Sequence, residues 1–170
     1  SDVCSSDLMN LALFGGSFDP PHFGHKMIIE EALHVLKINK LIVMPTFLNP
    51  FKDSSHFDSN TRLKMTKGIC KDFKNVEISD YEVQQQKKVP TIDTVKHLYN
   101  KYNIDKLYLI IGADNLAKLH LWKDFKELET LVEFVIASRD NIKHDTEYKV
   151  LDIQCDISST KIREDLDTLH

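Results

Sequence analysis

The sequence predicts an α/β fold, a Rossmann-like doubly wound parallel sheet with helices on both faces. Three observations carry that expectation. Four short runs, at residues 11–14, 41–44, 107–111 and 134–137, are continuously apolar. A strand with one wet face alternates apolar and polar residues, so unbroken runs read as strands covered on both sides. Each of the first three runs is followed by a stretch with apolar residues at helical spacing. Strand and helix then alternate along the chain, which right-handed crossovers close into one parallel sheet.

Taken in order, residues 1–8 (SDVCSSDL) are small and polar, with neither a basic nor an apolar segment. They read as a non-native leader and not a signal peptide. Met9 is the expected start of a single domain over 9–170. The strand Leu11-Ala-Leu-Phe14 runs into Gly15 and Gly16, two glycines expected to take positive φ and to let a ligand approach the backbone. Two prolines follow, and a helix opens at His22, with Met27, Ile28, Ala32, Leu33 and Leu36 on its apolar face. The strand at 41–44 ends at Pro45, and residues 46–59 form a polar loop that contains Lys52. A helix over about 60–73, an alternating strand over 76–81 and a helix over 91–102 come next. The most apolar strand, 107–111, ends at Gly112. A helix over 116–131 is expected to break near Trp122. Strands at 134–137 and 150–153 follow, and a last helix begins at Ser158.

Composition narrows the class. The 170 residues are 42% hydrophobic and 28% charged, with a formal net charge of −4. That balance supplies no basic field to hold a nucleic-acid polymer or an anionic membrane. No apolar run approaches the roughly 20 residues of a membrane helix. Outside the leader, Cys70 and Cys155 have neither zinc nor disulfide spacing, and read as buried thiols of a cytoplasmic protein.

Ligands of such sheets bind beyond the carboxyl ends of the strands. That rule gathers residues 15–25, 45–52, 112–115 and 138–139 on one rim. Within it, His22 and His25 lie three apart, one helical turn from each other, directly after a glycine loop. A strand, a tight loop and a helix N-terminus present backbone N–H groups to phosphate, and two imidazoles there point to a nucleotide site. The dehydrogenase pattern G-x-G-x-x-G is absent, which disfavours a nicotinamide-cofactor oxidoreductase. No third ligand is spaced to complete a metal site with the histidines, so none is expected. Lys52 can reach phosphate as a point charge. Ser158, Ser159 and Thr160 read as an N-cap or as phosphate ligands, and Arg163, one turn on, can grip phosphate bidentately. Asp114 after Gly112 can take ribose hydroxyls, and Arg139 reads as a site residue or a solvated one.

Gly15-Gly-Ser-Phe-Asp-Pro-Pro-His-Phe-Gly-His25 resembles the HxGH signature of nucleotidylyltransferases, and Ile157-Ser-Ser-Thr-Lys-Ile-Arg163 resembles their second signature, ISSTxIR. Pro90-Thr-Ile-Asp-Thr94, Ile110-Ile-Gly-Ala-Asp-Asn115 and Leu119-His-Leu-Trp122 resemble segments of the bacterial nicotinate-nucleotide adenylyltransferases. The likeness spans residues 9–163. It departs at Val89-Pro90, where the family commonly has Ser-Tyr, and at Leu48-Asn-Pro-Phe-Lys52, where Pro-Pro-His-Lys/Arg is common. The family usually continues with a further helix, so a shortened C-terminus is expected. The resemblance implies adenylyl transfer from ATP, with Mg²⁺, to nicotinate mononucleotide, with release of pyrophosphate. It implies catalytic roles for His22, His25, Lys52 and Arg163. ATP contacts would come from Gly15, Gly16, Ser17, Phe18, Gly112, Asp114, Ile157, Ser158, Ser159 and Thr160. Substrate contacts would come from Thr91, Trp122 and Arg139. Trp122 reads equally as core, and Thr91 equally as a helix cap. Phosphopantetheine adenylyltransferase and a non-catalytic nucleotide-binding module are the alternatives.

Overall fold

The computed structural model describes residues 8–47, 57–139 and 148–153. Among these, six strands form one sheet: β1 (Met9–Gly16), β2 (Lys40–Pro45), β3 (Val76–Ile78), β4 (Ile104–Gly112), β5 (Glu133–Arg139) and β6 (Lys149–Ile153). The described helices are α1 (Phe23–Val35), α2 (Ser59–Cys70), α3 (Tyr81–Gln84), α4 (Thr91–Lys101) and α5 (Phe125–Leu131), with a 3₁₀ segment at Ala113–Leu121. Every strand pairing is parallel, in the order β3-β2-β1-β4-β5-β6. The chain steps outward from β1 to β3, then returns to place β4 on the other side of β1. That reversal leaves a crevice at the carboxyl ends of β1 and β4, the place where such sheets bind ligands.

The apolar runs are buried on both faces, as their composition requires. In β1, Ala12 and Phe14 point to one side with Ile28, Ile29 and Ala32 of α1. Leu11 and Leu13 point to the other, with Ile92, Val95 and Leu98 of α4 and Leu128 of α5. In β4, Ile110 joins the first layer, and Leu107, Leu109 and Ile111 join the second. Cys70, at the end of α2, is buried as expected, and burial pushes its thiol up to about 11, which keeps it protonated and inert.

Three local expectations are corrected. Gly15 and Gly16 do not take positive φ; they are the last residues of β1, paired with Met44 and Pro45 of β2. The positive φ falls on Phe18, at 48°. The strand expected over 76–81 stops at Ile78, and Tyr81 opens α3, because the Tyr81 N–H turns back to Ser79 Oγ at 3.2 Å. The helix expected over 116–131 is instead the 3₁₀ segment followed by α5, which starts after Asp124 in a left-handed conformation, φ 52°. The expected break at Trp122 is where the two meet.

Candidate active site

The β1–α1 connection is built around its two histidines. His22 is the N-cap of α1 and holds extended backbone angles, so the helix proper begins at Phe23. Its Nδ1 accepts the Gly24 N–H at 3.0 Å, and the His25 Nδ1 accepts the His22 N–H at 3.0 Å. This is a reciprocal capping box in which imidazoles replace the usual hydroxyl and carboxylate. Two orphan amide donors of the helix end are thereby satisfied. A neutral imidazole that accepts at Nδ1 carries its proton on Nε2. Both side chains are therefore fixed as Nε2–H donors by the backbone itself.

Packing holds their aim. The two imidazole centroids are 3.9 Å apart, and His22 is only 7% exposed. The His25 ring lies 4.7 Å from the buried Phe18 ring, which meets Phe14 edge to face at 5.3 Å. The 13-residue α1 directs the positive end of its dipole at the same place, which favours anions.

Beside this connection lies a cavity of about 280 Å³ at the ends of β1 and β4. Gly15, Gly16, Thr46, Glu82, Thr91 and Trp122 line it, with apolar walls from Leu13, Leu109 and Ile111. It brings together four of the expected residues, Gly15, Gly16, Thr91 and Trp122. His22 and His25 do not line it; they stand on the adjoining connection, where His22 borders a shallower depression with Lys26 and Lys71. Thr91 is the first residue of α4, and Pro90 is its N-cap without a side-chain bond, so Thr91 does not cap its own helix. Trp122 packs against the second core layer, and its Nε1–H is buried with no hydrogen-bond partner among the described residues, as is the Thr46 hydroxyl.

Gly112 ends β4, and a Cβ placed there would come within 2.6 Å of Asp114 Oδ1. Glycine at 112 thus leaves room for the Asp114 carboxylate, which is exposed at the rim. Gly112→Ala is expected to fold normally, since φ is −70°, but to displace that carboxylate and raise the KM for ATP severalfold. Steady-state kinetics with ATP varied checks this.

Glu82, which no motif or spacing singles out, is 6% exposed and accepts from Thr94 Oγ1 at 2.6 Å. The bond ties α3 to α4, and Tyr81 stacked on His97 at 3.8 Å reinforces it. Burial pushes the Glu82 carboxyl up to about 7 from its ordinary 4.5, against the opposing Thr94 bond. A raised carboxyl stabilises the fold fully below pH 4.5 and loses that contribution as pH rises through about 7. Glu82→Gln is therefore expected to gain on the parent protein between those values, by on the order of a few kcal/mol. Thermal melts from pH 5 to 9 check it.

Arg62, likewise unforeseen, is fully buried and bonded to carbonyls of Ser17, Phe47 and Phe57. Its signal was faint but present: Arg62, Thr66 and Cys70 are spaced four apart on the buried side of α2. Lys52, Ile157, Ser158, Ser159, Thr160 and Arg163 lie outside the described residues, as does the side chain of Arg139.

Comparison with known proteins agrees with this layout. A family model described as cytidylyltransferase-like matches residues 13–165. A Sulfurimonas denitrificans protein named "probable nicotinate-nucleotide adenylyltransferase" is 53% identical over 156 residues, which cover 92% of this chain and 85% of that protein. A Campylobacter jejuni protein (strain RM1221) of the same name is 51% identical over 160 residues, 94% of this chain and 88% of that one. In structure, the chain is similar to Plasmodium falciparum nicotinic acid mononucleotide adenylyltransferase complexed with NaAD. The TM-score is 0.72 at 23% identity, over 91% of this chain and 82% of that one. The chain belongs to the cytidylyltransferase-like family, and within it to the nicotinate-nucleotide adenylyltransferases.

Proposed function

We propose that this protein transfers the adenylyl group of ATP to nicotinate mononucleotide, giving deamido-NAD and pyrophosphate in NAD biosynthesis. The observation that carries the reading is the reciprocal cap of His22 and His25, which engages Nδ1 of both rings with backbone amides and so leaves the proton on Nε2, at the connection directly after β1. The mononucleotide phosphate is already anionic at neutral pH, so its oxygen needs no strong base to attack the α-phosphorus of ATP. A new P–O bond forms there, the bond to the bridging oxygen breaks, and pyrophosphate leaves with the electron pair. The obstacle is the approach of two polyanions and the charge that grows on the leaving group. Catalysis is then positioning plus electrostatic stabilisation.

In this reading His22 and His25 donate to the α- and β-phosphates. Gly15, Gly16, Ser17 and Phe18 bring backbone close to ATP. Asp114, beside Gly112, takes the adenosine ribose. Lys52 and Arg163 add positive charge, and residues 157–160 hold the outer phosphates. Thr91, Trp122 and Arg139 contact the pyridine mononucleotide, with Trp122 stacked on the ring. Asp19, whose Oδ1 accepts the Phe57 N–H at 2.7 Å, would stand in the outer shell of a phosphate-bound Mg²⁺. Mg²⁺ would arrive on the triphosphate, held by phosphate and water, and would offset the charge of the leaving pyrophosphate. Among the described residues no helix is long and apolar enough to cross a membrane. A cytoplasmic site of action is part of the same reading.

Product analysis tests it. Incubation with ATP, Mg²⁺ and nicotinate mononucleotide is expected to yield deamido-NAD. Phosphopantetheine is expected to yield nothing; adenylylation of phosphopantetheine in its place overturns the reading.

A further inference from the structure

Arg62 is a fully buried guanidinium, 0% exposed, near the start of α2. Burying such a charge is costly unless its donors are satisfied. Here backbone carbonyls take three of its five N–H donors, one from each nitrogen. Nη1 donates to Ser17 O at 2.6 Å, Nη2 to Phe47 O at 2.7 Å and Nε to Phe57 O at 3.0 Å. The three carbonyls belong to the β1–α1 connection, the exit of β2 and the entry to α2. Asp19 closes the ring of contacts by accepting the Phe57 N–H. Desolvation pulls the guanidinium below its usual range, and the charges of Asp19 and Asp58 oppose that shift.

The grip on Ser17 matters most. The next residue, Phe18, sits at φ 48°, a left-handed conformation that strains a bulky residue and persists only where its surroundings enforce it. The Phe18 ring then forms the surface on which the His25 ring rests. One line of contact therefore runs from Arg62 through Ser17 O and the Phe18 turn to the imidazole pair. An apolar side chain of similar volume would fill the same space but leave these three carbonyls without their donor. A buried fork that reaches three loops serves geometry.

We infer that Arg62 is a positioning residue for adenylyl transfer: its three backbone bonds fix the Ser17–Phe18 turn and so aim the imidazoles of His22 and His25. The inference rests on the proposed function, because it assigns a purpose to that aim.

The test uses the full chain. Arg62→Met keeps bulk and removes all donors; Arg62→Lys supplies a single point of contact in place of the fork; Asp19→Ala cuts the same ring at Phe57. Arg62→Met is expected to lower kcat at least about tenfold, since small misplacements at a reacting centre are costly. The KM for nicotinate mononucleotide should move less than about threefold, because Arg62 does not line the pyridine-side cavity. Arg62→Lys should fall between. In a His25→Ala background the Met replacement should cost several times less than in the parent protein, the signature of coupled groups. If Arg62→Met does not fold, Asp19→Ala is expected to give the same split at smaller size. Costs that multiply, or unchanged kcat in the folded variants, overturn the inference. A parent protein with no turnover at all would overturn the proposed function instead. In that event, unshifted side-chain NMR resonances of His22 and His25 in the folded variants would overturn the positioning role independently.

Discussion

Replacing His22 with Asn is expected to leave the fold intact and to lower kcat by about 10²–10³-fold, the usual loss when one preorganised oxyanion donor is removed. The substitution separates the two jobs of this side chain. Asn is a favoured N-cap and can accept the Gly24 N–H in place of His22 Nδ1, so α1 keeps its start. What is lost is the Nε2–H that the proposed function assigns to phosphate. His25→Ala removes both the acceptor for the His22 N–H and the second donor. It is expected to cost about 1 kcal/mol in stability from the broken cap and a similar factor in kcat. Thermal melts and steady-state kinetics on both variants decide the matter. Melting temperatures that fall with turnover preserved would make the imidazoles helix caps and nothing more. Nitrogen NMR of the parent protein should find both rings in the Nε2–H form.

Trp122→Ala carries the second largest expectation. Stacking of a base on an aromatic ring is worth about 1–3 kcal/mol, so the KM for the mononucleotide should rise about 10- to 100-fold. The KM for ATP should hold, because Trp122 lies on the cavity side of the crevice, away from the histidine connection. Trp122→Phe distinguishes stacking from hydrogen bonding. It keeps a ring and removes the unpartnered indole N–H, and a single hydrogen bond accounts for about 0.5–1.5 kcal/mol. Its effect should be several times smaller than that of Ala. Equal affinity for the mononucleotide in all three proteins would return Trp122 to the hydrophobic core.

Much of this was legible because the signals were local. Unbroken apolar runs can only be strands covered on both sides, and β1, β2, β4 and β5 include all four of those noted. The doubly wound parallel sheet then followed from handedness and crossover rules, while the order of its strands is read from the structure. The rim rule gathered Gly15 and Gly16, which line one cavity; Thr91 and Trp122, which line it too, were named by the resemblance and not by that rule. What was not legible depends on contacts between distant residues. Arg62 joins positions 17, 47 and 57, and nothing near residue 62 announces that. Glu82 has its carboxyl raised by burial, against the bond from Thr94 on α4, twelve residues on. The positive φ was assigned to glycines on propensity, whereas the surrounding packing places it on Phe18. At residues 113–121, tight 3₁₀ turns replaced the expected α-helix; the apolar periodicity of a short segment does not separate the two.

The central claim is that the phosphate oxygen of nicotinate mononucleotide attacks the α-phosphorus of ATP in the crevice beside His22 and His25. ATP labelled separately at the α- and γ-phosphorus tests it most directly. The account predicts that α-label enters the dinucleotide product and γ-label leaves as pyrophosphate, with both processes suppressed in His22→Asn. Transfer of γ-label to the mononucleotide, or α-label transfer undiminished in His22→Asn, would contradict it.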